Sequence, residues 1–187
     1  MRIIAGDWRG RPLAALGKGD PGAHLRPTTD RVREALFSTL AGGRHGDPLT
    51  DAIVLDLFAG TGALGLESLS RGAAHATFVD DGRAAQRLLR ANIATLNAAD
   101  RARILTRDAR RLPANDGPPA TLVFLDPPYG RGLGAPALAA AQAQGWIAPD
   151  ALIVWEEDSP QPAPPGFAET DSRHYGDTHV TVLQRQT

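Results

Sequence analysis

The sequence predicts an α/β protein with a doubly wound, mostly parallel sheet, and two observations support this fold class. From Ile53 onward, short apolar segments typical of buried strands alternate with segments of helical periodicity. An acidic residue stands at or just after the end of each of the first four apolar segments, at Asp56, Asp80, Asp108 and Asp126. Because ligands bind at the carboxyl ends of the strands in such sheets, we expect these carboxylates to gather at one edge.

The elements follow in order from local patterns. Apolar runs predict strands at residues 53–58, 76–79, 103–106, 121–125 and 152–155, and a C-terminal hairpin across Gly176-Asp177 completes a seven-stranded sheet. Helical spacing predicts one helix that starts at Thr29 or Asp30 and ends before Gly42, and further helices at residues 63–71, 84–96 and 138–144. Before the sheet, Gly6-Asp7 separates residues 2–5 from residues 8–11, which predicts a small N-terminal β-hairpin extension.

The composition excludes several classes of protein. The chain has 187 residues, which suits one domain with a short appendage, and its net charge is -1. It has no cysteine, which excludes disulfides, cysteine-bound zinc and thiol nucleophiles. No apolar run approaches the roughly 18 residues that a membrane span needs, and the polar N-terminus is unlike a secretion signal. We therefore expect a cytoplasmic protein with no membrane partner.

A glycine-rich turn follows the first strand. Residues 60–65, Gly-Thr-Gly-Ala-Leu-Gly, match a pattern that binds NAD, FAD or S-adenosylmethionine between a strand and a helix. Asp56 lies four residues before the first glycine, where it would repel a pyrophosphate but attract the ammonium and sulfonium groups of S-adenosylmethionine. We therefore predict S-adenosylmethionine as the cofactor. Its expected ligands are Asp56, Phe58, Gly60 and Gly62, with Asp80 (alternatively Asp81) on the ribose hydroxyls and Asp108 on the adenine amino group.

The tetrapeptide Asp126-Pro127-Pro128-Tyr129 follows the fourth strand, next to the predicted cofactor crevice. The exocyclic amino nitrogen of a nucleobase is a poor nucleophile, and acceptors that bind its N–H groups favour its attack on a methyl group. The predicted catalytic groups are the Asp126 carboxylate, the Pro127 carbonyl and the Tyr129 ring, on which the base stacks. This chemistry needs no metal. Because the chain lacks cysteine, methylation of pyrimidine C5 through a thiol adduct is excluded.

Basic residues are concentrated near the N-terminus. The first 33 residues hold seven basic and three acidic residues, whereas the remainder of the chain is net negative. Arginines beside an aromatic ring suit phosphate contacts and base stacking, although a solvated charged loop is the alternative explanation. The predicted RNA-binding residues are Arg2, Trp8, Arg9, Arg11, Arg26, Arg31 and Arg33.

Two sets of motifs in the sequence resemble those of a known family. Residues 56–62 and 126–129 are similar to the motifs of class I, S-adenosylmethionine-dependent amino-methyltransferases. Residues 1–6, 8–11 and 25–34 resemble more specifically the bacterial 16S rRNA (guanine(966)-N2)-methyltransferase family, and residues 63–67 and Tyr175-Gly176 are similar to it too. The resemblance implies a Rossmann-like class I methyltransferase fold and the same cofactor and catalytic residues. Asp80 is a departure, because a longer glutamate is common there in the superfamily.

The resemblance also implies a substrate and a partner. The expected reaction is methyl transfer to N2 of a guanine in 16S rRNA, carried out by a monomer on the 30S subunit or an assembly intermediate. Residues 1–25 are expected to form an RNA-binding hairpin and loop, and residues 26–187 the methyltransferase domain. Two alternatives stay open: a DNA or RNA adenine-N6 methyltransferase, which could share the Asp-Pro-Pro-Tyr chemistry, and a non-catalytic RNA-binding ribosome assembly factor.

Overall fold

The computed structural model describes residues 1–15 and 30–187, and a seven-stranded sheet lies at its centre. The strands are β1 (Ile53–Leu57), β2 (His75–Val79), β3 (Ala102–Leu105), β4 (Ala120–Leu125), β5 (Ile147–Glu157), β6 (Phe167–Tyr175) and β7 (Thr178–Arg185). Their order across the sheet is β3-β2-β1-β4-β5-β7-β6. Strands β1 to β5 are parallel, and β7 is antiparallel to both of its neighbours. The predicted doubly wound, mostly parallel sheet is confirmed.

Helices cover both faces of this sheet. In the described residues they are α1 (Asp30–Ala41), α2 (Ala63–Ser70), α3 (Arg83–Leu96) and α4 (Gly134–Ala143), with a 3-10 turn at Ala99–Arg101. Apolar side chains of α1, α2 and α3 form one core with Ile3 and Leu13 of the N-terminal segment, whereas those of α4 form a second core with Trp146 and Trp155. Since alternate residues of a strand point to opposite faces, Val54 belongs to the first core and Leu55 to the second.

Strand β5 differs most in extent from the sequence-based prediction. The apolar pattern predicts residues 152–155, but the strand begins at Ile147, which pairs with Ala120. Pro149 and the left-handed Asp150, with φ 59, interrupt the apolar pattern without ending the strand. At its other end the strand continues to Glu157, which places buried acidic residues at the carboxyl edge of the sheet.

The buried face of α1 contradicts one predicted RNA contact. The apolar spacing is confirmed at Leu36 and Leu40, but Arg33 is also completely buried. Its Nη2 donates hydrogen bonds to the Arg2 carbonyl at 2.7 Å and to Asp30 Oδ1 at 2.5 Å. The prediction that Arg33 binds RNA is therefore wrong, because this guanidinium joins α1 to the N-terminal segment and cannot reach a phosphate in solvent.

The N-terminal hairpin is present but shorter than predicted. The Ile3 amide donates to the Arg11 carbonyl at 3.0 Å, the Gly10 amide donates to the Ile3 carbonyl at 2.8 Å, and an isolated antiparallel bridge joins Arg2 to Pro12. Residues 8–10 of the predicted second strand (residues 8–11) form turns instead. Gly6, with φ +80, lies so close to the Ser70 carbonyl of α2 that no side chain would fit there.

Residues 16–29 lie outside the described residues, and with them the predicted loop after the hairpin, Arg26 and the alternative helix start at Thr29. Within the described ranges, the helices are too short or too polar to cross a membrane.

Candidate active site at the carboxyl edge of the sheet

The strand register brings two of the predicted site residues next to the end of β1. Leu57 pairs with Val79 of β2 on one side and with Leu125 of β4 on the other. Asp80 and Asp126 directly follow these partners, and the Asp126 amide donates to the Leu57 carbonyl at 3.4 Å. The edge predicted from the sequence therefore exists at β1, β2 and β4.

Asp56 is a deeply buried carboxylate of this edge, with only 1% of its surface exposed. Its Oδ2 accepts a hydrogen bond from the Gly65 amide of α2 at 3.0 Å. Burial, together with the neighbouring charges of Asp80 and Glu156, raises the pKa of Asp56 to about 8, although the hydrogen bond from Gly65 opposes the shift. A carboxylate in such surroundings is ionised more readily when a cation lies beside it. Asp56 therefore fits a positively charged ligand group.

Two of the glycines after β1 are required by packing. A Cβ atom on Gly62 would approach Leu89 Cδ1 to 2.4 Å, and one on Gly65 would approach Phe78 Cε1 to 2.4 Å. Phe58 and Gly60 have positive φ angles of 60 and 56, so the backbone turns sharply above the end of β1. The glycine pattern therefore serves close helix–sheet contact as well as any ligand.

Asp80 shapes this turn from the end of β2. Its Oδ2 accepts the Gly60 amide at 2.9 Å, and its Oδ1 accepts the Gly82 amide at 2.8 Å. Burial raises the pKa of Asp80, although both hydrogen bonds oppose that shift. Because each oxygen already has a backbone donor, a ribose hydroxyl would have to share an oxygen with the turn.

Asp108 lies after β3 and is paired within its own loop. Its Oδ1 and Oδ2 accept hydrogen bonds from Arg110 Nε at 3.0 Å and Nη2 at 2.7 Å. The side-chain hydrogen bond to Arg110 lowers the pKa of Asp108, so the group is ionised at neutral pH. Of the predicted cofactor residues, it is the one that already has a cationic partner.

Asp126 lies among other carboxylates. It is half-buried, and its pKa is raised well above the ordinary range by burial and by the charges of Glu156, Asp56 and Glu157. Glu156 and Glu157 are 1% and 3% exposed at the end of β5, beside β4. Sequence reasoning missed both glutamates, although they directly follow the fifth apolar run just as the aspartates follow the others. This cluster of carboxyl groups suits a reaction that places positive charge near Asp126, because a nearby cation favours their ionised forms.

The segment after Asp126 is held by β5 and β7. Pro127 is buried and Tyr129 is half-buried. The Tyr129 hydroxyl lies 3.4 Å from Thr178 Oγ1, and the Gly130 amide donates to Glu157 Oε2 at 3.2 Å. Tyr129, the predicted stacking residue, is therefore held at its hydroxyl group and through the backbone of the residue that follows it.

The predicted RNA-binding residues divide by burial. Arg2, Arg9, Arg11 and Arg31 are exposed, whereas Arg33 is buried as described above. Trp8 is partly buried against the first core, and the Arg101 guanidinium lies 5.0 Å from its ring centre. One use of the Trp8 ring is therefore intramolecular.

Two polar residues missed by sequence reasoning fasten the N-terminal segment near the site. Glu67, which is completely buried, accepts the amides of Ile4 at 2.8 Å and Ala5 at 3.0 Å. Asn92 Oδ1 accepts the Ala14 amide at 2.7 Å, and its Nδ2 donates to the Thr61 carbonyl in the glycine turn at 2.9 Å. Only the polarity of these residues on otherwise apolar helix faces could have signalled them.

The fold and the site together define a class of protein. A sheet with β7 antiparallel between β5 and β6, a glycine turn after β1 and Asp-Pro-Pro-Tyr after β4 is the architecture of a class I methyltransferase. The model of the family described as Conserved hypothetical protein 95 matches residues 1–184, and the chain belongs to this family.

Similar proteins of the family carry more informative names. Ribosomal RNA small subunit methyltransferase D of Escherichia coli K12 is 47% identical over 158 residues, which are 84% of this chain and 75% of that protein. The protein of the same name from Haemophilus influenzae is 37% identical over 166 residues, covering 87% of this chain and 81% of its own length. The solved structure of Escherichia coli yhhF, described as a methyltransferase, is 39% identical, with a TM-score of 0.82 over 100% of this chain and 98% of that one. The resemblance to the rRNA methyltransferase family is thereby confirmed.

Proposed function

We propose that the protein is an S-adenosylmethionine-dependent rRNA methyltransferase that methylates the exocyclic N2 of a guanine in 16S rRNA. The observation that carries the proposal is the half-buried carboxylate of Asp126, placed at the edge of the sheet beside the buried Asp56. Burial and neighbouring negative charges raise its pKa, and a group in that state binds an N–H donor that becomes cationic during a reaction. Relatives named as small-subunit rRNA methyltransferases support an rRNA substrate.

The residues at the ends of β1, β2 and β3 fit the cofactor. Asp56 would bind its ammonium group, because this buried carboxylate is stabilised in its ionised form by a cation. The backbone of the turn from Phe58 to Gly62 would lie close to the methionine moiety and the sugar of the cofactor. Asp80 would share an oxygen with the ribose hydroxyls, and Asp108 would accept from the adenine amino group. When bound, S-adenosylmethionine supplies an electrophilic methyl group on a sulfonium.

Asp126 and Pro127 would hold the acceptor amine. The two N–H groups of a guanine N2 would donate to the Asp126 carboxylate and to the Pro127 carbonyl, which turns the nitrogen toward the methyl donor. Tyr129, held through Thr178, would stack on the base. As positive charge develops on the nitrogen, the negative surroundings of Asp126 stabilise it, and the raised pKa of Asp126 makes this carboxylate a suitable acceptor for the proton that the amine then loses.

The N-terminal segment is the proposed RNA-binding region. Arg2, Arg9 and Arg11 are exposed on a hairpin that Glu67 fastens to α2, and Arg31 is exposed at the start of α1. Exposed arginines contact phosphates without a large desolvation cost. We propose that this region holds 16S rRNA within a 30S subunit or an assembly intermediate in the cytoplasm, and that the protein acts as a monomer.

The test is to identify the methylated nucleoside. The protein would be incubated with methyl-labelled S-adenosylmethionine and, separately, with undermethylated 30S particles, free 16S rRNA or DNA. We expect N2-methylguanosine from an RNA substrate. Labelled N6-methyladenine would establish the adenine-specific alternative instead, and cofactor binding without transfer to any substrate would favour the non-catalytic assembly factor.

A further inference from the structure

The outer face of α3 carries arginines that no role described above explains. Arg83, Arg87 and Arg90, here called the α3 stripe, are all exposed. With 3.6 residues per turn, they lie within about 60° of one another around the helix axis and span roughly 10 Å along it. The opposite face of α3, with Leu89 and Ile93, packs into the first core. The stripe is therefore a straight row of cations on the protein surface.

Helix stability does not account for this row. Arg83 lies in the first turn of α3, where the helix dipole favours acidic residues, and Arg83 and Arg87 repel each other at i,i+4 spacing. The helix contains no acidic residue. Within residues 1–15 and 30–187, no carboxylate forms an ion pair with the stripe, whereas Arg44, Arg103, Arg110 and Arg173 each pair with an aspartate.

The α3 stripe lies on a helix whose two ends are close to the two parts of the proposed RNA site, the carboxyl edge of the sheet and the N-terminal hairpin. Arg83 follows Gly82, whose amide donates to Asp80 at the carboxyl edge of the sheet. At the other end of α3, Arg11 of the hairpin donates from Nη1 to the Thr95 carbonyl at 3.3 Å. The stripe therefore lies between the candidate active site and the exposed arginines of the N-terminal hairpin.

We propose that the α3 stripe binds the phosphate backbone of the substrate RNA on its way from the hairpin to the active site. This inference rests on the proposed function and adds a surface to it. The occupant is RNA because the row is exposed and unpaired with carboxylates among the described residues, and because its arginines recur every three to four residues along one helix, which suits repeated phosphates. The contacts are independent of base sequence, so the stripe supplies affinity and direction, and the target nucleotide is chosen elsewhere.

The test compares the triple variant Arg83→Gln, Arg87→Gln and Arg90→Gln with the control Arg44→Gln, Arg103→Gln and Arg173→Gln. Both remove three positive charges, but the control arginines are ion-paired and lie on β3, on β6 and after the end of α1. Binding to a 16S rRNA transcript would be measured over a range of salt concentrations, together with S-adenosylhomocysteine affinity. We expect the stripe variant to bind RNA at least about tenfold more weakly, with the slope of log K against log salt reduced by about 2, since each single-strand phosphate contact contributes about 0.7. The control should change both quantities much less, and S-adenosylhomocysteine affinity should stay within twofold in both.

An unchanged RNA affinity and salt slope in the stripe variant would overturn the proposal. So would a loss of activity on 30S particles with normal binding to the free transcript, because the stripe would then contact a ribosomal protein. Failure of the proposed function is distinguishable, because it would appear as a wild-type protein that methylates no RNA.

Discussion

The carboxyl edge of the sheet and the outer face of α3 carry opposite charges, and they differ most in burial. At the edge, Asp56, Glu156 and Glu157 are almost fully buried, and burial raises the pKa of Asp56 and Glu157. On α3, Arg87 and Arg90 are exposed to solvent. Buried charge is costly unless a ligand or a proton compensates it, whereas exposed charge acts on partners at little cost. The net charge of -1 is therefore a sum over the buried acidic edge of the sheet, the exposed basic face of α3 and the rest of the chain.

The largest expected effect comes from removing the carboxylate at the acceptor side of the edge. Asp126→Ala should lower the rate of methyl transfer by about 1000-fold, because the amine loses both its acceptor and the nearby negative charge. Affinity for S-adenosylhomocysteine should change only a few-fold. Single-turnover transfer and calorimetry measure the two quantities, with the exposed Asp100→Ala as the control. Transfer at the normal rate by Asp126→Ala would refute the proposed mechanism.

The next effect tests what attaches the N-terminal hairpin, the proposed RNA-binding region, to the rest of the domain. Glu67→Ala should lower the free energy of unfolding by about 3 kcal/mol, since it leaves the amides of Ile4 and Ala5 and the guanidinium of Arg71 without their buried acceptor. Urea denaturation measures the change, and hydrogen exchange at Ile4 and Ala5 should accelerate. Glu34→Ala, on the exposed side of α1, is the control. A urea midpoint equal to that of the wild type would show that the hairpin is held by other contacts.

Substitution of Asp56 tests how much a buried charge costs when no ligand compensates it. Asp56→Asn should lower S-adenosylhomocysteine affinity roughly 10- to 100-fold through loss of one charge-assisted hydrogen bond.

In the ligand-free wild type, the pKa of Asp56 is raised from near 4 in the unfolded chain to about 8 in the folded one. Its contribution to stability is therefore fully present below about pH 4 and is lost as the pH rises through about 8.

Thermal denaturation across this pH range measures the effect. The Asp56→Asn variant should lose stability less steeply than the wild type between pH 5 and 9, because an amide does not titrate. Equal slopes for the two proteins would mean that Asp56 is ionised in the ligand-free protein at neutral pH.

The smallest expected effect concerns the exposed hairpin arginines. Arg9→Gln with Arg11→Gln should weaken binding to 16S rRNA a few-fold and reduce the salt slope by about 1.4, at about 0.7 for each phosphate contact. Arg103→Gln with Arg173→Gln removes the same charge from ion-paired positions and is the control. If both double variants had the wild-type slope, the hairpin arginines would be ordinary solvated side chains.

The sequence alone was sufficient to predict the alternating strands and helices, the C-terminal hairpin and the gathering of Asp56, Asp80 and Asp126 at one edge. These features depend on local periodicity and on the geometry that parallel strands share, so they require no knowledge of distant contacts. The Asp-Pro-Pro-Tyr segment was recognisable for the same reason, because its chemistry lies in adjacent residues.

Only the tertiary structure decided which polar residues are buried and what they contact. Arg31 and Arg33 look equivalent in the sequence, yet one is exposed while the other is buried against the Arg2 carbonyl. Glu67 and Asn92 lie on helices far along the chain from Ala5 and Ala14, the backbone segments that they hold. The physical reason is that burial and hydrogen bonding depend on which surfaces meet after the chain folds, and no local pattern records that meeting.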